Sequence, residues 1–259
     1  MNRHLKMFFR TVQTSFPVLL DAKFAFMRAY RNARSVPFDR DFDGIRLFPD
    51  YERALFLDVG GNRGQSTDAI LMTTRNSTIQ LFEPNPLLCD KLRRQFGAQQ
   101  RVTINEFGLG NSTSTQPLHV PFYKNWMFDG LASFDRDSAR GWLEGRVFFY
   151  NEKHVSLRQV PCTIRRLDDL GLTPFFVKLD VQGYEYEVIR GGEKTIRTHQ
   201  PVLLVEAPPE ENVRDFLKSL GYSFYTFKDD KFIGGIIESN NTFFMTEQRA
   251  ALVREHIIA

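Results

Sequence analysis

Residues 54–67 read ALFLDVGGNRGQST. Ala54 to Val59 is a short apolar run that carries one acid, Asp58. Gly60, Gly61 and Gly64 follow, and then Gln65-Ser66-Thr67, residue types suited to a helix start. The layout is strand, glycine turn, helix. Glycine lets the backbone come close to a ligand, and a helix N-terminus presents free N–H groups to it. The glycines fall as G-G-x-x-G, so neither the P-loop pattern G-x-x-x-x-G-K-[ST] nor the dinucleotide pattern G-x-G-x-x-G is present. The competing reading is a tight turn after a buried strand.

Working outward, STIQLF (77–82) is a second strand, ending at Glu83-Pro84-Asn85-Pro86. An acid at the end of the second strand is where a doubly wound fold meets a ribose, because a carboxylate accepts hydrogen bonds from both hydroxyls. Pro86 starts the next helix. A third strand runs over 102–107, so Glu106 and Phe107 are weaker candidates for the base of a nucleoside. PFFVKL (174–179) and PVLLV (201–205) are nearly continuous apolar runs, as expected for strands buried in a parallel sheet. They end in Asp180 and Glu206. Helices are expected over 184–197, where Gly191-Gly192 loosens or bends the chain, over 211–220, and over 247–258. The alternation predicts an α/β, Rossmann-like fold. Its sheet is mostly parallel and seven-stranded, with helices on both faces and an antiparallel edge strand from the last two runs, 222–227 and 242–246. Residues 112–163 interrupt the alternation as a β-rich insertion, with strand-like runs at 116–123, 146–150 and 154–163. An insertion of that length is either a substrate loop or a plain hairpin extension.

The first 36 residues differ from the rest. Seven basic residues against one acid give +6, which leaves −3 on the remaining chain within a total of +3. Large apolar residues interleave, and Pro17 divides two expected helices. Such a stretch is either a basic amphipathic helix lying on an anionic membrane or glycolipid, or a helical cap on the core or on a second copy in a homo-oligomer. Residues 37–53 read as a connector and 54–259 as the main domain. Two cysteines are too few for a disulfide framework, and no apolar run is long enough to span a bilayer or form a signal-peptide core. A cytoplasmic setting is expected, at most at the inner face of the membrane. A net charge of +3 does not argue for nucleic acid.

The pattern D-V-G-G-N-R-G resembles motif I of S-adenosylmethionine (SAM) dependent methyltransferases, with Asp58, Gly60 and Gly64 at its fixed positions. Four blocks together resemble the FkbM-type methyltransferase family: LDVGGNRGQST (57–67), LFEPNP (81–86), RRLDDL with FFVKLDVQGYEYEVIRGG (165–170 and 175–192), and PVLLVE (201–206). The resemblance covers about residues 54–206. The chain departs from it at Gln182, where the family usually carries Glu. The resemblance implies a class I methyltransferase fold and O-methylation, often of sugars or natural products. It implies that Asp58, Gly60, Asn62 and Gly64 line the methionine end of SAM, and that Glu83 holds the ribose with help from Asn85; Gln65 and Ser66, at the helix start, are further candidate cofactor contacts.

Methyl transfer from a sulfonium is an in-line displacement, so the protein must align an acceptor oxygen and help remove its proton. Asp180 and Glu206 end neighbouring strands at the cofactor crevice. One of them is a candidate general base, or both are candidate ligands of a divalent cation such as Mg²⁺. Asp180 also qualifies as a cofactor contact or a helix cap. His154, in the insertion, is a second candidate base. A sugar-containing acceptor is the expected partner. A nucleic-acid or protein acceptor, or a non-catalytic assembly module, are the alternatives. The sequence after Asp180, V-Q-G, lacks the [DN]-P-P-[YF] pattern that grips an amino group.

Overall fold

The computed structural model describes residues 7, 11, 14, 16–49, 51–134, 136, 148, 150–206 and 208–258. They fall into two compact units, Met1–Arg34 with Thr115–Cys162, and Ser35–Ser114 with Thr163–Ala259.

The larger unit is built on a nine-stranded sheet. Its strands are β1 (Leu55–Val59), β2 (Thr78–Phe82), β3 (Val102–Asn105), β8 (Phe176–Leu179), β9 (Val202–Glu206), β10 (Tyr222–Lys228), β11 (Lys231–Gly234), β12 (Asn241–Thr246) and β13 (Ile257–Ile258), in the order β13-β11-β10-β12-β9-β8-β1-β2-β3. From β9 to β3 all pairings are parallel. The apolar runs have a simple cause. Alternate side chains of a strand face opposite ways, and both faces here are covered. Phe56, Phe176, Val202 and Leu204 enter one core with Ala69 and Ile70 of helix α2 (Gln65–Thr73). Leu57, Val59, Val177, Leu179, Leu203 and Val205 enter another. That second core holds Val188 and Ile189 of α4 (Glu185–Gly191), Ile196 of α5 (Glu193–His199), and Val213 and Leu217 of α6 (Glu211–Ser219). Helix α3 (Pro86–Phe96) packs Leu92 and Phe96 on Leu81. A 3-10 segment at Arg40–Leu47 places Phe42 and Ile45, followed by Phe48, in the first core.

The sheet differs from the expected seven strands. The antiparallel strand β12 is not an edge. It lies between β9 and β10, antiparallel to both. Beyond β10 the sheet gains β11 and β13, through a tight hairpin whose two central residues, Asp229 and Asp230, have φ of 50° and 58°. Both central residues of a type I′ turn need positive φ, and Asp-Asp is a weaker signal for it than Asn-Gly. The expected helix over 247–258 is only α7 (Glu247–Ala251), followed by a 3-10 turn at Arg254–His256 and by β13. The expected helix over 184–197 is two helices that meet at Gly192. A short strand, β4 (Gly108–Leu109), pairs in parallel with residues 164–165.

The smaller unit contains helix α1 (Pro17–Arg34) and strands β5 (Ser114–Tyr123), β6 (Trp126–Met127) and most of β7 (Val155–Arg165). β5 adjoins β7 on one side and β6 on the other. Pro17 opens α1, a position that needs no N–H, and Arg31 and Arg34 sit at the negative end of its dipole. Leu20 of α1 is buried with Tyr123, Trp126 and Phe128, and Phe24 packs beside them. Leu118, Val120, Phe122 and Cys162 form a second small core. Residues 7, 11 and 14 are helical. The rest of the expected first helix, and most of the run at 146–150, lie outside the described residues. Among the described residues no helix is long and apolar enough to cross a membrane.

Candidate functional site

The parallel strands β1, β2, β8 and β9 end side by side in the larger unit, and each end carries an acid. Asp58, on β1, is fully buried. Its Oδ2 accepts a 2.5 Å hydrogen bond from Thr67 Oγ1, and its Oδ1 has no partner. Burial raises the Asp58 carboxyl to about 6; the Thr67 bond and the Lys178 charge oppose the rise, and Asp180 adds to it. Lys178 is the register partner of Asp58 on β8, is itself buried, and donates from Nζ to the Leu179 carbonyl at 3.1 Å.

The glycine loop is hung on the end of β2. The N–H groups of Gly60 and Gly61 both donate to the Phe82 carbonyl at 3.0 Å. Gly60 has φ 87°, and a Cβ there would collide with the Asp180 carbonyl oxygen. Gly64 (φ 75°) caps α2 without a side-chain bond, so no cap group occupies the first N–H groups of that helix at Gln65 and Ser66. Asn62 sits between them in the left-handed region, and its buried Oδ1 has no partner.

Glu83 ties the loop to the β2 end. Its Oε2 accepts from the Asn62 N–H at 2.7 Å and its Oε1 from the Asn85 N–H at 2.8 Å. These two bonds fix the orientation of the carboxylate, the kind of acceptor that a ribose diol requires. Asn85 caps α3 by accepting from the Leu87 N–H at 3.1 Å, and its buried Nδ2 has no partner. Buried polar atoms are rarely left unpaired. The orphaned Asp58 Oδ1 and Asn62 Oδ1 are acceptors and fit an ammonium-bearing ligand, and the Glu83 carboxylate fits a ribose. This set of acceptors therefore suits SAM. Further along, Phe107 packs edge-on to Phe82, ring centroids 5.5 Å apart, beneath the Arg165 guanidinium at 4.7 Å. Glu106 is exposed and ion-paired with Arg93.

Asp180 and Glu206 are brought together by a residue the sequence reading passed over as a site. Gln182 donates from Nε2 to Asp180 Oδ1 at 2.9 Å and to Glu206 Oε2 at 2.8 Å. Its φ of 53° and that of Gly183 (87°) turn the chain back so that the amide reaches both. The only signal for it was the V-Q-G sequence directly after Asp180. Loss of hydration raises the Glu206 carboxyl to about 7. The hydrogen bond and charge of Asp180 add to this, Lys178 opposes it, and Glu185 adds again. Glu206 keeps exposed surface, so solvent screens part of that crowding. Glu185 accepts from the Val181 N–H at 3.0 Å and holds the turn. Among the described residues no group of three or more His, Cys, Asp or Glu is arranged to hold a metal ion. His154 belongs to the smaller unit, exposed and edge-on to Tyr123 at 5.8 Å.

A curated 2-O-methyltransferase, NoeI of Sinorhizobium fredii, is 25% identical to this chain over 154 residues, which are 55% of this chain and 58% of that protein. Among solved structures, the FkbM methyltransferase of Methylobacillus flagellatus superposes with a TM-score of 0.47 at 15% identity, over 74% of this chain and 43% of the other. A precorrin-6y C5,15-methyltransferase of Geobacter metallireducens gives 0.40 at 15% identity, over 79% and 83%. The family model described as the methyltransferase FkbM domain matches residues 58–224. That span holds motif I, Glu83, Asp180 and Glu206, and the chain belongs to this family of SAM-dependent methyltransferases.

Proposed function

We propose that this chain transfers a methyl group from SAM to a hydroxyl of a sugar, in a polysaccharide, glycolipid or glycosylated natural product. The observation that carries the reading is the Asp180–Gln182–Glu206 cluster at the strand ends beside motif I. An alcohol needs its proton removed as the bond to carbon forms, and a carboxylate whose affinity for protons lies near neutrality is suited to take it. Glu206, raised to about 7, is the proposed base. Gln182 holds its carboxylate in place, and Asp180 keeps it basic by repulsion. Asp58 and Asn62 receive the ammonium end of SAM, Glu83 the ribose, and Phe107 borders the adenine. SAM, when bound, supplies the activated methyl group. If a divalent cation takes part, Asp180 and Glu206 are its ligands, and the Gln182 bridge must then open. The O-methylation named for NoeI agrees with a hydroxyl acceptor.

The test is methyl transfer from isotopically labelled SAM to a panel of neutral and anionic saccharides, run beside calorimetry with S-adenosylhomocysteine (SAH). Label in a saccharide that is lost in Glu206→Gln supports the proposal. SAH binding without label in any saccharide removes the sugar, and absence of SAH binding removes the enzyme.

The proposal includes a resting place. Helix α1 leaves Leu19, Phe26 and Tyr30 exposed on one face, with Phe16 exposed just ahead of it and four basic residues against one acid along its length. A helix of that charge fits an anionic lipid surface and repels a second copy of itself.

A further inference from the structure

Two blocks of the sequence have no part in the site above: RLDDL (166–170) and the E-V-I-R-G-G that ends α4. In the larger unit they meet around one cavity of about 710 Å³, which is lined by Arg166, Arg190, Lys194 and Arg197, by Asp168 and Glu193, and by Asn111, Ser112 and Thr198. The paired glycines make the meeting possible. A Cβ on Gly191 would collide with the Gly110 carbonyl oxygen, and one on Gly192 would press into the Leu167 side chain at 2.9 Å. The α4–α5 junction therefore lies directly on the 110–112 loop and on the turn at 167–169.

The charges do not cancel. Asp168 is engaged by the start of α5: its Oδ1 accepts from the Thr195 N–H at 2.8 Å, and its Oδ2 from the Lys194 N–H at 3.2 Å and from Arg166 at 3.3 Å. Glu193 pairs with Arg197 at 3.1 Å. Arg190 stacks on Phe216 at 5.0 Å, which holds its guanidinium without neutralising it. Lys194 has no acidic partner among the described residues. Arg166 also pairs with Asp169, beside the cavity, at 3.9 Å, so Arg190 and Lys194 are the two lining cations with no acidic partner among the described residues, and the hydroxyls of Ser112 and Thr198 and the amide of Asn111 are neutral donors.

We infer that this cavity binds a phosphate group, either free phosphate or the phosphate of a sugar ester. Two cations without an acidic partner match a phosphate dianion better than a single carboxylate. The inference is independent of the acceptor proposed above, because the cavity shares no residue with the strand-end site.

The experiment is calorimetric titration at low salt with inorganic phosphate and with a hexose 1-phosphate. The proteins are wild type, Lys194→Gln, Arg190→Gln/Lys194→Gln and Glu83→Ala, each with SAH binding measured in parallel. Saturable binding is expected in wild type and in Glu83→Ala, weakened about tenfold in Lys194→Gln and further in the double variant. Tighter binding of the sugar ester identifies the sugar as the carrier, and equal binding identifies free phosphate. Lys194 is exposed, so its substitution leaves the fold and SAH binding intact and keeps the test valid where the double variant is unstable. If neither ligand binds wild type, or if Lys194→Gln binds as wild type does, the inference is overturned. Loss of SAH binding in Glu83→Ala bears only on the strand-end site.

Discussion

A buried carboxyl at the end of β1 costs the fold stability once it ionises. The folded Asp58 carboxyl lies near 6 against an ordinary 3.8. Between those values the folded state holds the proton more tightly than the unfolded chain, so stability falls as pH rises through the window, by roughly 3 kcal/mol in total, and the cost is complete above the folded value. Asp58→Asn should flatten that dependence in urea midpoints taken at about pH 4 and about pH 8, and should weaken SAH binding about tenfold or more, because the negative charge proposed to face the ammonium is gone. A dependence as steep in the variant as in wild type would place the titration elsewhere. Glu206 gives a second, kinetic prediction. As the base it must be ionised, so the rate should rise with pH through about 7. Glu206→Gln should remove that limb and lower kcat by about 10²- to 10⁴-fold. If the limb persists in the variant, Glu206 is not the base.

At the scale of elements, the site depends on two loops that cross at backbone contact. Gly60 and Gly183 share a φ of 87°, yet a Cβ at Gly60 meets the Asp180 carbonyl, whereas nothing lies within 4 Å of one at Gly183. Gly183→Ala should therefore cost only the conformational penalty of about 1–2 kcal/mol. Gly60→Ala adds a steric term of about 1–3 kcal/mol and should abolish SAH binding, which a thermal-shift and calorimetry pair would read. Most of this candidate site was legible in the sequence, because apolar runs ended by an acid reveal parallel strands and the edge at which they end. That logic places Asp180 beside Glu206 from the sequence alone. It did not supply Gln182 as the bridge, since the bridge requires a left-handed turn that no glycine marks at that position. It also missed the extension of the sheet by β11 and β13: Asp229-Asp230 is a weak hairpin signal, and two residues of strand leave no periodicity to read. Nor did sequence spacing reveal that residues 1–34 and 115–162, far apart in the chain, form one unit, because shared packing across such a gap leaves no local pattern.

The whole molecule is electrically lopsided. The first 36 residues hold +6 and the remainder −3. The two readings of this stretch, cap or membrane helix, are not exclusive in α1. Leu20 and Phe24 turn inward and pack in the smaller unit, while Leu19, Phe26 and Tyr30, at 50%, 69% and 51% exposure, recur at helical spacing on the other part of the apolar arc. A soluble surface seldom leaves aromatic side chains aligned in this way without a use. Attraction to anionic lipid should bring α1 to the surface, and the exposed side chains should then insert at the headgroup boundary. Wild type should co-sediment with vesicles that contain phosphatidylglycerol, much less with pure phosphatidylcholine, and should be released as salt shortens the range of the attraction. Leu19→Ser/Phe26→Ser/Tyr30→Ser removes apolar area without touching charge, and each side chain buried contributes about 1.5–3 kcal/mol, so the triple variant should lose binding by well over tenfold. Arg28→Gln/Arg31→Gln should lose the lipid selectivity while keeping part of the affinity. Equal sedimentation of wild type and triple variant would remove the membrane from the proposal. A wild type that dimerises, with a triple variant that does not, would assign the same stripe to a second copy of the chain instead.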